Sequence, residues 1–539
     1  MQGFFLCICA CFPSKTSIVL ATKKEDAKKV KGFWIAVALL LLLTGCACQT
    51  QQEQGAAAPS AQPDAQDAVV LKYYEIGNQD HRVREQVQQA VSAYTEPRIG
   101  ARVEFVLVSW GDWDSKALTA LQAGEQADVF FTADWKGYVR SVTQGLFTPL
   151  NDPAGENGDL LALYGQDIVR GLNPAFLSGT QINGINYAVP TNKELCVPQG
   201  YLVNVQAAEE VGMDPEKIRN AWDLEPFLAR YKELHPTQYG YLTDKRWSDE
   251  PWVESFTAGM NYNLLSMRLA QNADGSYDET VVSVWETEEN RSFAELMYRY
   301  AQAGYIHPDA ALAQYDALTQ FNAGEFLVYT APLKGNGIKA QEMINASGNP
   351  SLELAEVVTQ PKVVTTTHTG GSMLAIPSGS QNPVSAMKLI NLMHADTHLL
   401  DLMVYGVEGE MWRLNEENRI ELLDSSWYSA HGGAWTMGNT VLQHVTVQED
   451  PEKNQMLQQY SQDAAWHPSL GFRYICPVTL ESQMAAVNNV AEVYNNALLT
   501  GALDPQTALP EYIRRLREAG LDQIREDVQR QYDEWKNAR

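Results

Sequence analysis

Tryptophan stands beside acidic residues at several places in this sequence. These places are Trp110-Gly111-Asp112-Trp113, Asp134-Trp135, Trp247-Ser248-Asp249-Glu250-Pro251-Trp252 and Glu410-Met411-Trp412. An indole ring stacks on apolar C–H surface, and a carboxylate accepts hydrogen bonds from hydroxyl groups. The clusters therefore favour the non-covalent binding of a polar solute that also has an apolar face.

The sequence contains none of the common signatures of bond-breaking chemistry. Neither a GxSxG nucleophile motif nor an HExxH metal motif occurs. His394 and His398 have a spacing that could hold a metal, but no third ligand stands beside them in the sequence, and a helix surface is the simpler interpretation. We therefore expect no catalytic residue, no metal and no cofactor, and predict that the protein is not an enzyme.

Three strand patterns, at residues 68–74, 101–110 and 127–134, alternate with single helix patterns. This alternation predicts a parallel sheet, in which ligands bind beyond the carboxyl ends of the strands. The candidate ligand-binding residues at these ends are Glu75, Asp80, Trp110, Asp112, Trp113, Asp134 and Trp135. Asp80 and Asp134 have a second interpretation, as N-caps of the helices that follow.

The same alternation restarts after residue 194, which predicts a second α/β lobe inserted into the first. The chain is expected to cross between the lobes at residues 189–194 and again at 329–335. Further candidates on the crossings and the second lobe are Lys193, Glu194, Lys334, Trp252, Trp412 and Trp435. A salt bridge at the crossing is the alternative for the charged residues, and a place in the core is the alternative for the tryptophans.

The N-terminal region has the pattern of a secretory leader. Five lysines between residues 23 and 31 precede an uncharged run at 33–43, which is too short to span a membrane. Leu43-Thr44-Gly45-Cys46 follows and resembles the bacterial lipobox, in which the cysteine after the cleavage site is lipidated. An ordinary signal peptide is the alternative. Residues 46–67 lack aromatic and branched aliphatic side chains and are predicted to form a disordered tether.

The charge of the chain excludes some partners. The formal net charge is −26, and it becomes −30 without residues 1–45, which hold six lysines and two acidic residues. Such a charge repels nucleic acid and anionic lipid, so we expect no nucleic-acid partner and membrane contact only through a lipid. Cys196 and Cys476 are the cysteines beyond the tether, and whether they pair stays open.

Several segments together resemble a known family. They are the lipobox, LQAGEQADVFFTADW, GINYAVPTNKE, LKGN, YGVEGEMW and the C-terminal residues 485–535. These segments resemble lipoprotein substrate-binding proteins of carbohydrate ABC transporters, in the extracellular solute-binding protein family 1. They are most similar to the LipO-like subgroup, which has an extra C-terminal domain.

The resemblance implies a fold of the α/β class, the type II periplasmic-binding-protein-like fold. This is a two-lobe Venus flytrap with hinge crossovers and a C-terminal helical extension. The expected domains are a leader at 1–45, the tether at 46–67, a first lobe at 68–190 plus about 330–400, a second lobe at 191–329 plus about 401–475, and a helical segment at 476–539 packed on the body.

The implied function is capture of a sugar or oligosaccharide between the lobes and its delivery to the permease subunits of an ABC transporter. The protein is expected to be a monomer outside the cytoplasm, held by lipid on Cys46 to the outer face of the membrane. A pyranose fits the tryptophan–acid clusters, since it has an apolar C–H face and a belt of hydroxyls. A peptide-binding ABC lipoprotein and a secreted glycoside hydrolase remain as alternatives.

Overall fold

The computed structural model describes residues 68–78, 81–243, 252, 260–312, 314–431 and 433–539. The predicted leader, tether, Cys46 and Asp80 lie outside the described residues. The described residues belong to one compact unit. Within the described ranges, no helix has the length and apolar character needed to span a membrane.

Most of the strands are short. In chain order they are β1 (Val69–Ile76), β2 (Ala101–Val108), β3 (Val129–Thr132), β4 (Ala188–Pro190), β5 (Gln199–Asn204), β6 (Tyr241–Leu242), β7 (Leu265–Ser266), β8 (Val282–Ser283), β9 (Val328–Pro332), β10 (Leu354–Val358), β11 (Val363–Val364), β12 (Met373–Ala375), β13 (Trp412–Leu414), β14 (Ile420–Leu422) and β15 (Ala465–Trp466).

The helices vary more in length, and the longest lie near the two ends of the described chain. In chain order they are α1 (His81–Ile99), α2 (Leu118–Gln122), α3 (Tyr138–Thr143), α4 (Leu160–Tyr164), α5 (Gln166–Gly171), α6 (Pro174–Gly179), α7 (Val205–Val211), α8 (Glu225–Leu234), α9 (Glu288–Gln302), α10 (Leu318–Ala323), α11 (Ile338–Ser347), α12 (Thr366–Thr369), α13 (Pro383–Met393), α14 (Thr397–Tyr405), α15 (Ser426–Ala430), α16 (Lys453–Gln462), α17 (Glu481–Leu499), α18 (Pro505–Glu518) and α19 (Leu521–Asn537).

The first lobe contains a sheet with the strand order β2-β1-β3-β12-β4. β1 pairs in parallel with β2 and β3, whereas β12 is antiparallel to β3 and β4. Helix α1 packs on this sheet because Val83, Val87 and Val91, spaced four residues apart, form one buried face. The carboxyl ends of β1, β2 and β3 consequently lie along one edge of the sheet.

The second lobe contains a sheet with the strand order β10-β5-β9-β6. Helix α9 packs in its core through Phe293, Leu296, Met297 and Tyr300, whose spacing of three and four residues gives one apolar face. Helices α17, α18 and α19 contribute buried residues to the same core. The C-terminal helices therefore share the hydrophobic core of the second lobe.

The sheets divide the chain at different positions from the predicted boundaries. The first crossing falls at residues 191–198, between β4 and β5, close to its predicted place. β9 and β10 both belong to the second sheet, so the chain returns to the first lobe about thirty residues later than predicted. Residues 402–437, expected in the second lobe, supply core side chains to the first. A fully buried apolar strand does not reveal which sheet it joins, and this explains the difference.

Candidate ligand-binding surface

Three tryptophan rings stack side by side on the first lobe. Trp110 follows β2, Trp135 follows β3, and Trp435 lies in a short turn after α15. The centroid of the Trp110 ring lies 5.8 Å from that of Trp135 and 5.9 Å from that of Trp435, with interplanar angles of 25° and 16°. Trp110 is 44% exposed and Trp135 is 47% exposed. We call these three side chains the indole surface.

The indole surface rests on the core of the first lobe. The Phe131 ring lies edge-on to Trp435 at 6.1 Å and also contacts Trp135. The Trp135 indole N–H donates a hydrogen bond of 2.8 Å to the Gly371 carbonyl, which fixes the orientation of that ring. An exposed aromatic cluster held in this way is a preformed stacking platform rather than a loose surface patch.

Three other predicted tryptophans do not join the indole surface. Trp113 is only 1% exposed and packs between Phe130 and Phe131. Trp412 is buried in the first lobe, where its ring N–H donates to the Gly406 carbonyl. Trp252 is buried as well and bonds to a side-chain amide on α9. We therefore revise the prediction for these three, because a buried ring has no face left for a solute.

The Asp134 carboxylate lies directly beside the indole surface but is already paired. The Arg473 guanidinium donates two hydrogen bonds to it, 2.8 Å from Nη2 to Oδ2 and 3.2 Å from Nε to Oδ1. Burial raises the pKa of the Asp134 carboxyl, and the Arg473 charge opposes that shift. Both carboxylate oxygens are occupied, so Asp134 supports the site instead of presenting free acceptors.

Glu75, at the end of β1, is completely buried. Its Oε1 accepts a hydrogen bond of 2.6 Å from the Thr436 hydroxyl, next to Trp435, while Oε2 has no hydrogen-bond partner among the described residues. Burial raises the pKa of Glu75 to about 8, although the bond from Thr436 opposes the shift. The raised pKa favours the protonated form of Glu75 at neutral pH, and its complete burial leaves it inaccessible to a solute, which revises its predicted role as a ligand contact.

Asp112 lies on the outside of the first lobe, after β2. Its carboxylate accepts hydrogen bonds of 3.0 Å from Lys116 and 3.0 Å from Ser109. These bonds, with that from Lys116 the strongest, lower the pKa of Asp112. The Asp112 side chain is 45% exposed, so its carboxylate remains accessible to solvent, two residues from Trp110 in the sequence.

A buried network of charges lies where the chain crosses between the lobes. Glu194 contacts Lys193 at 3.1 Å and Lys334 at 3.7 Å, and Lys334 also bonds to Glu342 at 2.9 Å. Burial by itself would raise the pKa of Glu194, but the two lysines outweigh it and lower the pKa to about 2. The predicted candidates Lys193 and Lys334 therefore both pair with Glu194. This is the alternative interpretation, a salt bridge at the crossing, and not a ligand contact.

Thr436 bonds to Glu75 and Arg473 bonds to Asp134 next to the indole surface, and sequence reasoning missed both. Arg473 stands between two aromatic residues in the run GFRYI, and a charge in such an apolar run requires a buried partner. That signal could have found Arg473. Nothing in the sequence around Thr436 indicates its bond to Glu75.

The two cysteines whose pairing the sequence left open do not form a disulfide. Cys196 and Cys476 are both free thiols.

The chain belongs to a family of binding proteins. The model of the bacterial extracellular solute-binding protein family matches residues 80–396, which is more than half of the chain, and the chain is a member of this family. A domain of unknown function (DUF3502) matches residues 469–537. The predicted family membership, with an extra C-terminal domain, is confirmed. The chain is accordingly a binding protein and not an enzyme.

Individual relatives cover nearly the whole molecule. The chain is 25% identical over 504 residues to a carbohydrate ABC transporter substrate-binding protein of Streptococcus pneumoniae serotype 4, covering 93% of this chain and 96% of that relative. The crystal structure of the N-glycan transport solute binding protein NgtS from Streptococcus pneumoniae superposes with a TM-score of 0.73 at 23% identity, covering 87% of this chain and 99% of that one. This likeness confirms the predicted type II two-lobe fold.

Proposed function

We propose that the protein is the substrate-binding component of a carbohydrate ABC transporter and that it captures an oligosaccharide between its two lobes. The observation that carries the proposal is the indole surface, in which the half-exposed Trp110 and Trp135 rings at the carboxyl ends of β2 and β3 lie against each other and against the partly buried Trp435 ring. The relatives support it: one is a carbohydrate ABC transporter substrate-binding protein, and two structures of NgtS contain Man1GlcNAc and Man5GlcNAc.

The geometry suits a saccharide with more than one ring. The centroids of Trp110, Trp135 and Trp435 lie 5.8 to 6.3 Å apart, so the three rings offer a continuous apolar area to the C–H faces of successive sugars. The exposed Asp112 carboxylate beside Trp110 can accept hydrogen bonds from hydroxyls. Stacking and charge-assisted hydrogen bonds of this kind are compatible with micromolar affinity, about −8 kcal/mol.

Closure of the lobes supplies the transport step in this proposal. A solute that contacts both lobes stabilises the closed arrangement by its differential affinity for that state. The permease subunits then recognise the closed, loaded form and receive the saccharide unchanged. The backbone crosses between the lobes at residues 191–198, again between β10 and β12, and a third time between residues 437 and 472, so these segments absorb the rotation.

A thermal-shift screen of the body, residues 65–539, tests the proposed function. This body forms one compact unit, and the solved relatives correspond to it closely. A bound oligosaccharide at 100 times its Kd should stabilise the body by about 2.7 kcal/mol, which raises the melting temperature. The panel contains mannose- and N-acetylglucosamine-containing oligosaccharides, plant oligosaccharides and cationic peptides. Stabilisation by peptides alone would contradict the proposal.

We propose further that lipid on Cys46 anchors the protein to the outer face of the cell membrane. The expected result is that Cys46→Ser moves the protein from the membrane fraction to the soluble fraction, because the acyl chains are attached to that sulfur. Immunoblotting of cell fractions measures this. Cys48→Ser is the matched control, two residues away, and should leave the protein in the membrane fraction. Retention of the Cys46→Ser variant there would contradict the anchor.

A further inference from the structure

Arg473 links the C-terminal domain to the first lobe. Its guanidinium is almost completely buried and reaches three groups of that lobe: the Asp134 carboxylate, the Gly179 carbonyl and the Tyr138 ring, whose centroid lies 5.6 Å away. Arg473 itself belongs to the residues that match the domain of unknown function. One side chain of that domain therefore penetrates the lobe that carries the indole surface.

The backbone around Arg473 is held by the last helix of the protein. The Phe472 ring contacts Tyr532 at 5.2 Å and Trp535 at 5.7 Å, both on α19. The Gln531 side chain on the same helix exchanges two hydrogen bonds with the backbone of Ile475, of 2.9 and 3.2 Å. These contacts on both sides fix the position of Arg473 relative to α19.

The other end of the ion pair is continuous with the indole surface. The Asp134 backbone N–H donates to the Gly370 carbonyl at 2.9 Å, and the next residue, Trp135, donates its indole N–H to Gly371. A Cβ atom at Gly370 would collide with the Asp134 carboxylate and the Arg473 guanidinium. The ion pair, the two glycines and the Trp135 ring thus form one packed arrangement.

We propose that Arg473 is a positioning residue for ligand binding: it holds Asp134, and through Asp134 the Trp135 ring, in the orientation that a saccharide requires. This inference rests on the proposed function and deepens it. It gives the C-terminal domain a role in the binding site of the first lobe, in addition to its packing in the core of the second. A bidentate arginine–carboxylate pair suits this role because its two parallel hydrogen bonds fix an orientation as well as a distance.

The test compares saccharide affinity and indole geometry in Arg473 variants of residues 65–539. Arg473→Met should weaken the binding of the best saccharide in the screen at least about tenfold, because a site held loosely loses its productive geometry. Arg473→Lys retains the charge and should give an intermediate loss, and it decides the question if the Met variant does not fold. In an Asp134→Asn background, Arg473→Met should add little, since both act on the same ring.

Arg517→Met is the matched control. Arg517 also belongs to the C-terminal domain and pairs in a bidentate manner with Glu286, at 2.8 and 2.9 Å, outside the indole surface. This variant should bind saccharide as the wild-type protein does. Equal affinities for the wild-type, Arg473→Met and Arg517→Met proteins, measured well below their melting temperatures, would overturn the positioning role while leaving the proposed function intact.

A second readout does not depend on any ligand. Stacked indoles give an exciton signal in circular dichroism. Subtracting the spectrum of the Trp135→Phe variant from that of the wild-type protein isolates the part of the signal that involves Trp135. We expect Arg473→Lys to change this part of the signal and Arg517→Met to leave it unchanged. If no saccharide binds to the wild-type protein, the proposed function fails, and this spectrum still decides the positioning role: an unchanged signal overturns it.

Discussion

Replacing Trp135 with alanine is expected to weaken saccharide binding by about 2 kcal/mol, or roughly thirtyfold, with little loss of stability. The ring is half-exposed and stacked on Trp110, so its removal takes away one of the two exposed rings of the platform but leaves the core below it intact. Isothermal titration calorimetry with the saccharide from the thermal-shift screen measures the affinity, and urea unfolding measures the stability.

Trp222→Ala is the control for this prediction. Trp222 is 43% exposed, similar to Trp135, but it lies in the second lobe against Phe293 on α9. Trp222→Ala removes a comparable area of exposed indole ring, and it should leave the affinity for the saccharide unchanged. If Trp135→Ala and Trp222→Ala bind the saccharide equally well, the indole surface is not the ligand platform.

Glu194→Gln is expected to destabilise the protein by about 3 kcal/mol at neutral pH. The side chain is buried between Lys193 and Lys334, so the neutral amide leaves the Lys193 ammonium without its carboxylate partner and leaves Lys334 with Glu342 alone. Urea denaturation of residues 65–539 measures the loss. Glu511→Gln is the control, since Glu511 also has a pKa lowered to about 2, by bonds from Arg514 and Arg515, but lies on the exposed face of α18. Its loss should be small, because water screens exposed pairs.

The same network predicts a dependence on pH. The pKa of Glu194 in the folded protein is about 2, which is below the ordinary value of about 4.3 for an unfolded glutamate. The unfolded state therefore binds a proton first, and the stabilisation is present above that ordinary value and is lost as the pH falls towards about 2. Wild-type protein should lose more stability than Glu194→Gln between about pH 6 and pH 3. Equal losses would contradict the interpretation of the network.

Much of the first lobe could be predicted from the sequence, since apolar runs and the spacing of Val83, Val87 and Val91 identify β1 to β3 and α1. The strand ends in turn locate Trp110 and Trp135. Sequence pattern did not distinguish Trp113 from Trp110, although they stand three residues apart, because a turn directs one ring outwards and the other into the core. The direction of a side chain after the end of a strand depends on its tertiary contacts, and the local sequence pattern carries no information about them.

The position of Trp435 could not be obtained from local pattern either. The sequence assigned it to the second lobe, whereas residues 399–437 return to the first lobe and bring its ring against Trp110. Contacts such as Thr436 with Glu75 and Arg473 with Asp134 join residues more than 300 positions apart. Only the folded arrangement of both lobes shows that these side chains meet.

Binding of an unchanged oligosaccharide is the central claim of the proposed function. Residues 65–539 should be titrated with the best saccharide of the screen in a calorimeter, and the saccharide should then be recovered and its mass measured. We predict saturable binding of one saccharide per protein at micromolar Kd, about −8 kcal/mol, with the mass unaltered. Heat from a peptide but from no saccharide, or recovery of shortened saccharide products, would contradict capture of an intact sugar on the indole surface.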